Sequence, residues 1–188
     1  ERFMSRLGGV LSVTDPRHAI AANKAGGDFY WRYCCGPNHI AAAVDALMEA
    51  VNGPGRLHNP YAERFRRKEF ETRLKRAELG QLQPPDELKS VQHGGALVRF
   101  FEIRWSGLAV AEQGLDGRPR ESRVDVRLYY AEPPQFSLVI LGLHCHEKLV
   151  TGSDGEIKAA QNAEIDRALE CYARGMAERW GIDELATV

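Results

Sequence analysis

Most of the features that place a protein quickly are missing from this chain of 188 residues. No apolar run approaches the ~20 residues of a membrane-spanning helix, and the amino end carries no signal-peptide pattern. The expected compartment is therefore the cytoplasm, with no membrane partner. A one-sided charge is missing as well. The 25 Lys and Arg residues against 26 Asp and Glu leave a net charge of -1, which excludes a wholesale basic character but not a local basic patch. Cysteine is scarce. Cys34 and Cys35 are adjacent and lack the two-residue gap of a zinc knuckle or redox pair, so with Cys145 and Cys171 they read as reduced, mostly buried thiols. There is no Gly-rich phosphate loop after a strand, no Ser or Cys nucleophile motif, no internal repeat and no low-complexity tract. What remains, 44% hydrophobic and 27% charged, is the composition of an ordinary globular domain long enough to bury a real core.

Local signals then order the elements. Asp15-Pro16 opens a short helix through Ala25, with Asp as cap and Pro in the first turn, ended by Gly26-Gly27. Phe29 to Cys34, aromatic-rich and closed by Gly36-Pro37, reads as a strand. Asn38 caps a helix whose Ile40, Val44, Leu47, Met48 and Val51 follow helical spacing. A second helix opens at Asn59-Pro60 and runs to about Leu79, with Tyr61, Phe65, Phe70 and Leu74 as its apolar stripe. Between Glu63 and Glu78 it carries seven Lys or Arg against four Glu, either a solvated face or a surface for RNA or a partner.

Three strands follow. Phe100 to Trp105 and Val124 to Tyr130 both alternate, separated by Gly107 to Ser122, which reads as a polar hairpin loop. Leu138 to Leu143 is apolar on both sides, as a buried central strand would be. It ends in His144-Cys145-His146-Glu147-Lys148, where the period of two puts His144, His146 and Lys148 on one face and Cys145 and Glu147 on the other. A last amphipathic helix runs from Ser153 or Asp154 to Trp180. The expected fold class is α+β in two layers: a mainly antiparallel sheet of about four strands, an N-terminal helical hairpin and a C-terminal helix. Ile103, Leu128 and Leu141 should lie in the core, and Ile165, Leu169 and Tyr172 should seat the last helix.

Each of these three strands presents basic groups on one face: Arg104, then Arg127, then His144, His146 and Lys148, accompanied by Glu102, Asp125 and Tyr129. Guanidinium, imidazole and ammonium groups gathered this way suit a phosphate. A solvated face held by cross-strand Arg–carboxylate pairs has the same pattern. A metal held by His144 and His146 would need a third ligand, which no motif supplies.

The runs Pro84 to Val91, Phe101 to Trp105, Val126 to Tyr130 and Leu143 to Lys148, followed by a helix opening Glu156-Ile157-Lys158-Ala159-Ala160, resemble the RelE/HigB toxin superfamily, its phage-derived HigB-like branch most of all. The resemblance covers roughly residues 28 to 180, so that residues 1–27 would be an N-terminal extension and 28–188 the toxin domain. It departs from the family at the long Gly107 to Ser122 insertion, at Val126 in place of a tyrosine and at Leu149 in place of a second lysine. What the resemblance implies is the toxin of a toxin–antitoxin pair, a metal-independent, cofactor-free endoribonuclease that cuts messenger RNA on the ribosome. Its partners would be that mRNA and a cognate antitoxin. Arg127, His144, His146 and Lys148 would be catalytic, with Arg104 and Tyr129 contacting RNA. The alternatives are a non-catalytic protein of the same fold, binding gyrase or an antitoxin, and a metal-dependent enzyme using His144 and His146.

Overall fold

The computed structural model describes residues 15–32, 39–92, 99–114 and 116–182. Five strands and three helices follow one another in the order β1 (Asp28–Trp31), α1 (His39–Val51), α2 (Pro60–Glu78), β2 (Leu88–Ser90), β3 (Arg99–Gln113), β4 (Pro119–Glu132), β5 (Val139–Glu147) and α3 (Asp154–Gly175). The adjacent cysteines Cys34 and Cys35 and the Asn38 cap lie outside the described residues.

The sheet order is β1-β5-β4-β3-β2. This is α+β, but mixed rather than mainly antiparallel with four strands. β1 runs parallel to β5, and only the other three pairings are antiparallel. The helical pair is inserted after β1 instead of opening the chain. Two layers become three for a reason visible in β5, which is apolar on both faces and so needs cover on both. One face packs Phe29, Trp31, Phe101, Ile103, Trp105, Leu128 and Ile140 with α1 and α2. The other packs Phe100, Tyr129, Leu141 and Leu143 under Ile165, Ala168 and Tyr172 of α3. Gly142 makes the first packing possible, since a Cβ there would stand 2.7 Å from the Trp31 ring and 2.8 Å from that of Phe29.

Helix starts follow the side chains that can cap them. The Asn59 carboxamide accepts the Tyr61 and Ala62 N–H groups, with Pro60 in the first turn. Ser153 and Glu156 form a reciprocal capping box for α3. α3 stops at Gly175 rather than Trp180. The chain then turns through left-handed Arg179 and Trp180, and the indole donates back to the Tyr172 carbonyl at 2.9 Å. The Asp15-Pro16 segment likewise forms two short 3-10 turns, Pro16–His18 and Ile20–Ala22, rather than a helix to Ala25. Ala19, Ile20 and Ala21 are buried in the main core.

The segment Gly107 to Ser122 is not a loop. β3 and β4 stay paired from Arg99↔Glu132 to Gln113↔Pro119, so only the tip turns. Leu108, Val110 and Val124 supply a buried face. The arm is tied down by Leu57 N–H to the Ala111 carbonyl at 2.8 Å and by Arg66 to the Ala109 carbonyl at 2.7 Å. Because α2 turns Ala62 and Arg66 toward this arm, Tyr61 and Phe65 point outward at 81% and 78% exposure. The buried residues of α2 are Phe70, Leu74 and Ala77.

Candidate functional site

Register places the sequence-predicted residues in two rows. Glu102 pairs with Tyr129 and Tyr129 with His144; Arg104 pairs with Arg127 and Arg127 with His146. A β-bulge sets the last members of each row. Tyr129 opposes His144 while Tyr130 opposes Gly142, so Leu143 is the extra residue. Leu143 and His144 therefore both turn toward α3, and His146 follows two residues on. Cys145 and Glu147 face the other way, Cys145 in the α1/α2 core and Glu147 against Arg56 at 2.5 Å. Burial pushes the Cys145 thiol up to about 12, so it stays protonated.

His144 Nε2–H donates to Glu164 of α3 at 2.5 Å, and the other Glu164 oxygen accepts from Arg167 at 2.6 Å. His146 Nδ1–H donates to the Glu147 carbonyl at 2.9 Å, which fixes the tautomer and leaves Nε2 as a lone-pair acceptor. That Nε2 is enclosed and has no hydrogen-bond partner. The Tyr129 hydroxyl is enclosed and unpartnered too, the Gln161 side chain approaching it without hydrogen-bonding geometry. The rings form a stack: Tyr129 and His146 centroids are 5.3 Å apart, and His146 and His144 are 5.9 Å apart and nearly parallel.

Burial lowers the pKa of both imidazoles. For His144 the hydrogen bond to Glu164 opposes that shift; for His146 the bond to the Glu147 carbonyl does. Glu164 is itself held down by its bond to His144 against the cost of burial. Burial raises Tyr129, which remains a phenol.

Arg127 is 2% exposed. Its Nη1 donates to the Trp105 and Val126 carbonyls and its Nη2 to Asp125 at 3.1 Å, so it is the buried post of the cluster rather than an open cation. Arg104 keeps a partly exposed side chain, bonded to the Pro85 carbonyl at 3.2 Å with Glu102 at 3.5 Å. Lys148 is half-buried just past the end of β5, its backbone N–H on the Asp125 carbonyl at 2.7 Å. Two grooves of about 480 and 330 Å³ lie along α1 and α2, and neither reaches His144 or His146.

Among the described residues, no group of three His, Cys, Asp or Glu side chains is spaced to hold a metal ion, so a His144–His146 metal site finds no third ligand there. Among them, too, no helix is long and apolar enough to cross a membrane. The residue that sequence reasoning missed is Glu164. Its signal was a carboxylate bordering the buried stripe of α3, one position before Ile165 and three before Arg167. No family model matches the chain, and neither a curated protein nor a solved structure matches it.

Proposed function

We propose that the protein is a ribosome-dependent mRNA endoribonuclease, the toxin of a toxin–antitoxin pair, working in the cytoplasm as the resemblance to RelE/HigB implies. The observation that carries this reading is the pair of unlike imidazoles. His146 has its tautomer fixed and its Nε2 lone pair unpartnered, while His144 holds a carboxylate that favours its protonated form. Two stacked imidazoles with unlike hydrogen bonding, one with an unpartnered lone pair and one bonded to a carboxylate, are suited to be a base and an acid. His146 Nε2 takes the proton of the 2′-hydroxyl. The 2′-oxygen attacks the adjacent phosphorus and the bond to the 5′-oxygen breaks, leaving a 2′,3′-cyclic phosphate. His144 returns a proton to the departing 5′-oxygen. Arg104 and Lys148 neutralise the phosphate, Tyr129 donates to one of its oxygens, and Arg127 holds the rows in place.

The test is induction of the chain alone in a bacterial host, with growth and transcript ends followed. Arrest with new cyclic-phosphate ends inside translated codons is expected, and His146→Ala should abolish the cuts. Burial of Arg127 favours a second reading, a non-catalytic protein that acts by binding gyrase or an antitoxin. Arrest with intact messages would select it.

A further inference from the structure

The larger groove, about 480 Å³, lies between the start of α1 and the C-terminal half of α2. That volume falls within the roughly 300–1,000 Å³ of small-molecule sites. Ile40, Ala41 and Val44 line it from α1, and Phe29 of β1 lines it from the sheet. From α2 come Arg67, Glu71, Lys75 and Glu78, which recur at helical spacing. His39 completes the lining, and burial lowers its pKa, which favours the uncharged ring.

The four charged side chains are not equivalent. Arg67 donates to Asp45 of α1 at 2.7 Å, and Lys75 donates to Glu71 at 2.5 Å, so both cations are spent. Glu71 holds Lys68 as well, at 3.3 Å. Glu78 is left over. Among the described residues no cation lies within ion-pair distance of it, and its one hydrogen bond, from the Phe29 N–H, is long at 3.3 Å. It stands half-buried in the last turn of α2, where the helix dipole is negative and a cation is the favoured neighbour. Burial raises its pKa, with Asp28 adding to the rise and the Phe29 N–H and Lys75 opposing it. A carboxylate in such a place costs folding free energy until a cation meets it.

We propose that this groove binds a small organic amine, whose ammonium pairs with Glu78 while its hydrocarbon body lies on Phe29, Ile40 and Val44. An anion would find the cations already paired and a carboxylate facing it. A hydrated metal ion would gain nothing from three apolar walls, whereas an amine with an apolar body uses both halves of the lining. The groove lies apart from His144 and His146, so the proposal does not depend on the nuclease reading.

The probe is 2-phenylethylamine, titrated into the full chain and followed through its backbone amide resonances. 2-Phenylethanol and 3-phenylpropionate are the neutral and anionic counterparts of similar size. The amine should bind with a dissociation constant of about a millimolar or less, shifting amides in 39–44 and 67–78. The alcohol and the acid should bind at least about tenfold more weakly. Glu78→Gln keeps an acceptor for the Phe29 N–H and should weaken the amine about tenfold while leaving the alcohol unchanged. Ala41→Trp, at an exposed lining position, should fill the groove and block the amine, whereas Arg64→Gln, outside it, should change nothing. An amide spectrum unchanged away from the groove shows that each variant is folded. Should Glu78→Gln fail that check, Ala41→Trp and the comparison of amine with alcohol still decide. An amine bound no better than the alcohol, or bound equally by a folded Glu78→Gln, would overturn the proposal. Tighter binding of the acid would do the same, because Arg67 and Lys75 would then set the charge of the site. Absence of shifts with all three probes would make the groove a mere seam between helices and reject it.

Discussion

His144 of β5 and Glu164 of α3 meet at 2.5 Å across the seam between sheet and helix, 20 residues apart in the chain. The carboxylate supports the protonated imidazole against the burial that lowers its pKa. Glu164→Gln keeps an acceptor of the same shape and removes the charge. The pKa of His144 should then fall further, and the alkaline limb of the cleavage rate, set by an acid that must carry its proton, should move to lower pH. The rate at neutral pH should drop ~10- to 100-fold. A pH–rate profile superimposable on the wild type would remove His144 from the role of acid.

Arg127 and Lys148 are both candidate catalytic cations in the sequence, Lys148 as the second phosphate contact, and are opposites in the structure. Arg127 is enclosed and spends its donors on two carbonyls and Asp125, whereas Lys148 is partly open. Arg127→Met should cost about 3 kcal/mol in stability, because Asp125 and both carbonyls lose a buried partner. Lys148→Ala should stay within about 0.5 kcal/mol of the wild type and lose most of its cleavage. Denaturant melts alongside transcript-end mapping separate the two. Should Arg127→Met melt like the wild type, its guanidinium is not the post described here.

The elements that local chemistry dictates were legible: the Asn59-Pro60 and Ser153 starts, the apolar run of β5, and the shared face of Glu102, Arg104, Arg127, Tyr129, His144 and His146. Features set by distant partners were not. The parallel pairing of Asp28 to Trp31 with β5 spans more than a hundred residues and leaves no periodicity behind. The β3–β4 arm hid because only Leu108, Val110 and Val124 mark its inner face among small and charged neighbours. Alternation placed His144 and His146 on one side correctly, but it could not foresee that the bulge at Leu143 puts Leu141 and Leu143 on that side too. Glu164 needed the docking of α3 before it meant anything.

Glu132 gives the fold a pH dependence separate from the histidines. Its carboxylate is buried at the end of β4, where it accepts the Ile20 N–H at 2.6 Å, pairs with Arg99 at 3.0 Å and faces the Tyr130 hydroxyl at 3.5 Å. Burial pushes its pKa from 4.5 to about 7 despite Arg99. A carboxyl that holds its proton more tightly when folded stabilises fully below its unfolded value. That contribution is lost as pH rises from 4.5 through about 7 and amounts to at most ~3 kcal/mol. The buried histidines work in the opposite sense, since their lowered pKa makes stability fall as pH drops below their ordinary 6.5. They do so equally in wild type and in Glu132→Gln. The change in unfolding free energy between pH 5 and pH 8 should therefore differ between the two proteins, the wild type losing more on the alkaline side. Parallel pH curves would place Glu132 in an open, ordinary environment.

Under the proposed nuclease reading the Tyr129 hydroxyl is kept for a ligand rather than for stability. A buried O–H without a partner costs folding free energy, and a phenylalanine of the same shape would avoid that cost. Tyr129→Phe should therefore melt at or slightly above the wild-type temperature, a gain of between zero and about 1 kcal/mol, with the stacking on His146 and Phe100 retained. Cleavage should fall about tenfold or more, because the hydroxyl is proposed to donate to a phosphate oxygen in the transition state. Gain of stability with loss of function is the mark of a group kept for a ligand. The opposite pair of results, a melting point several degrees lower with cleavage unchanged, would mean that the hydroxyl has a structural partner such as Gln161 or a bound water. In that case the rows of β3, β4 and β5 would be a polar core and not a site.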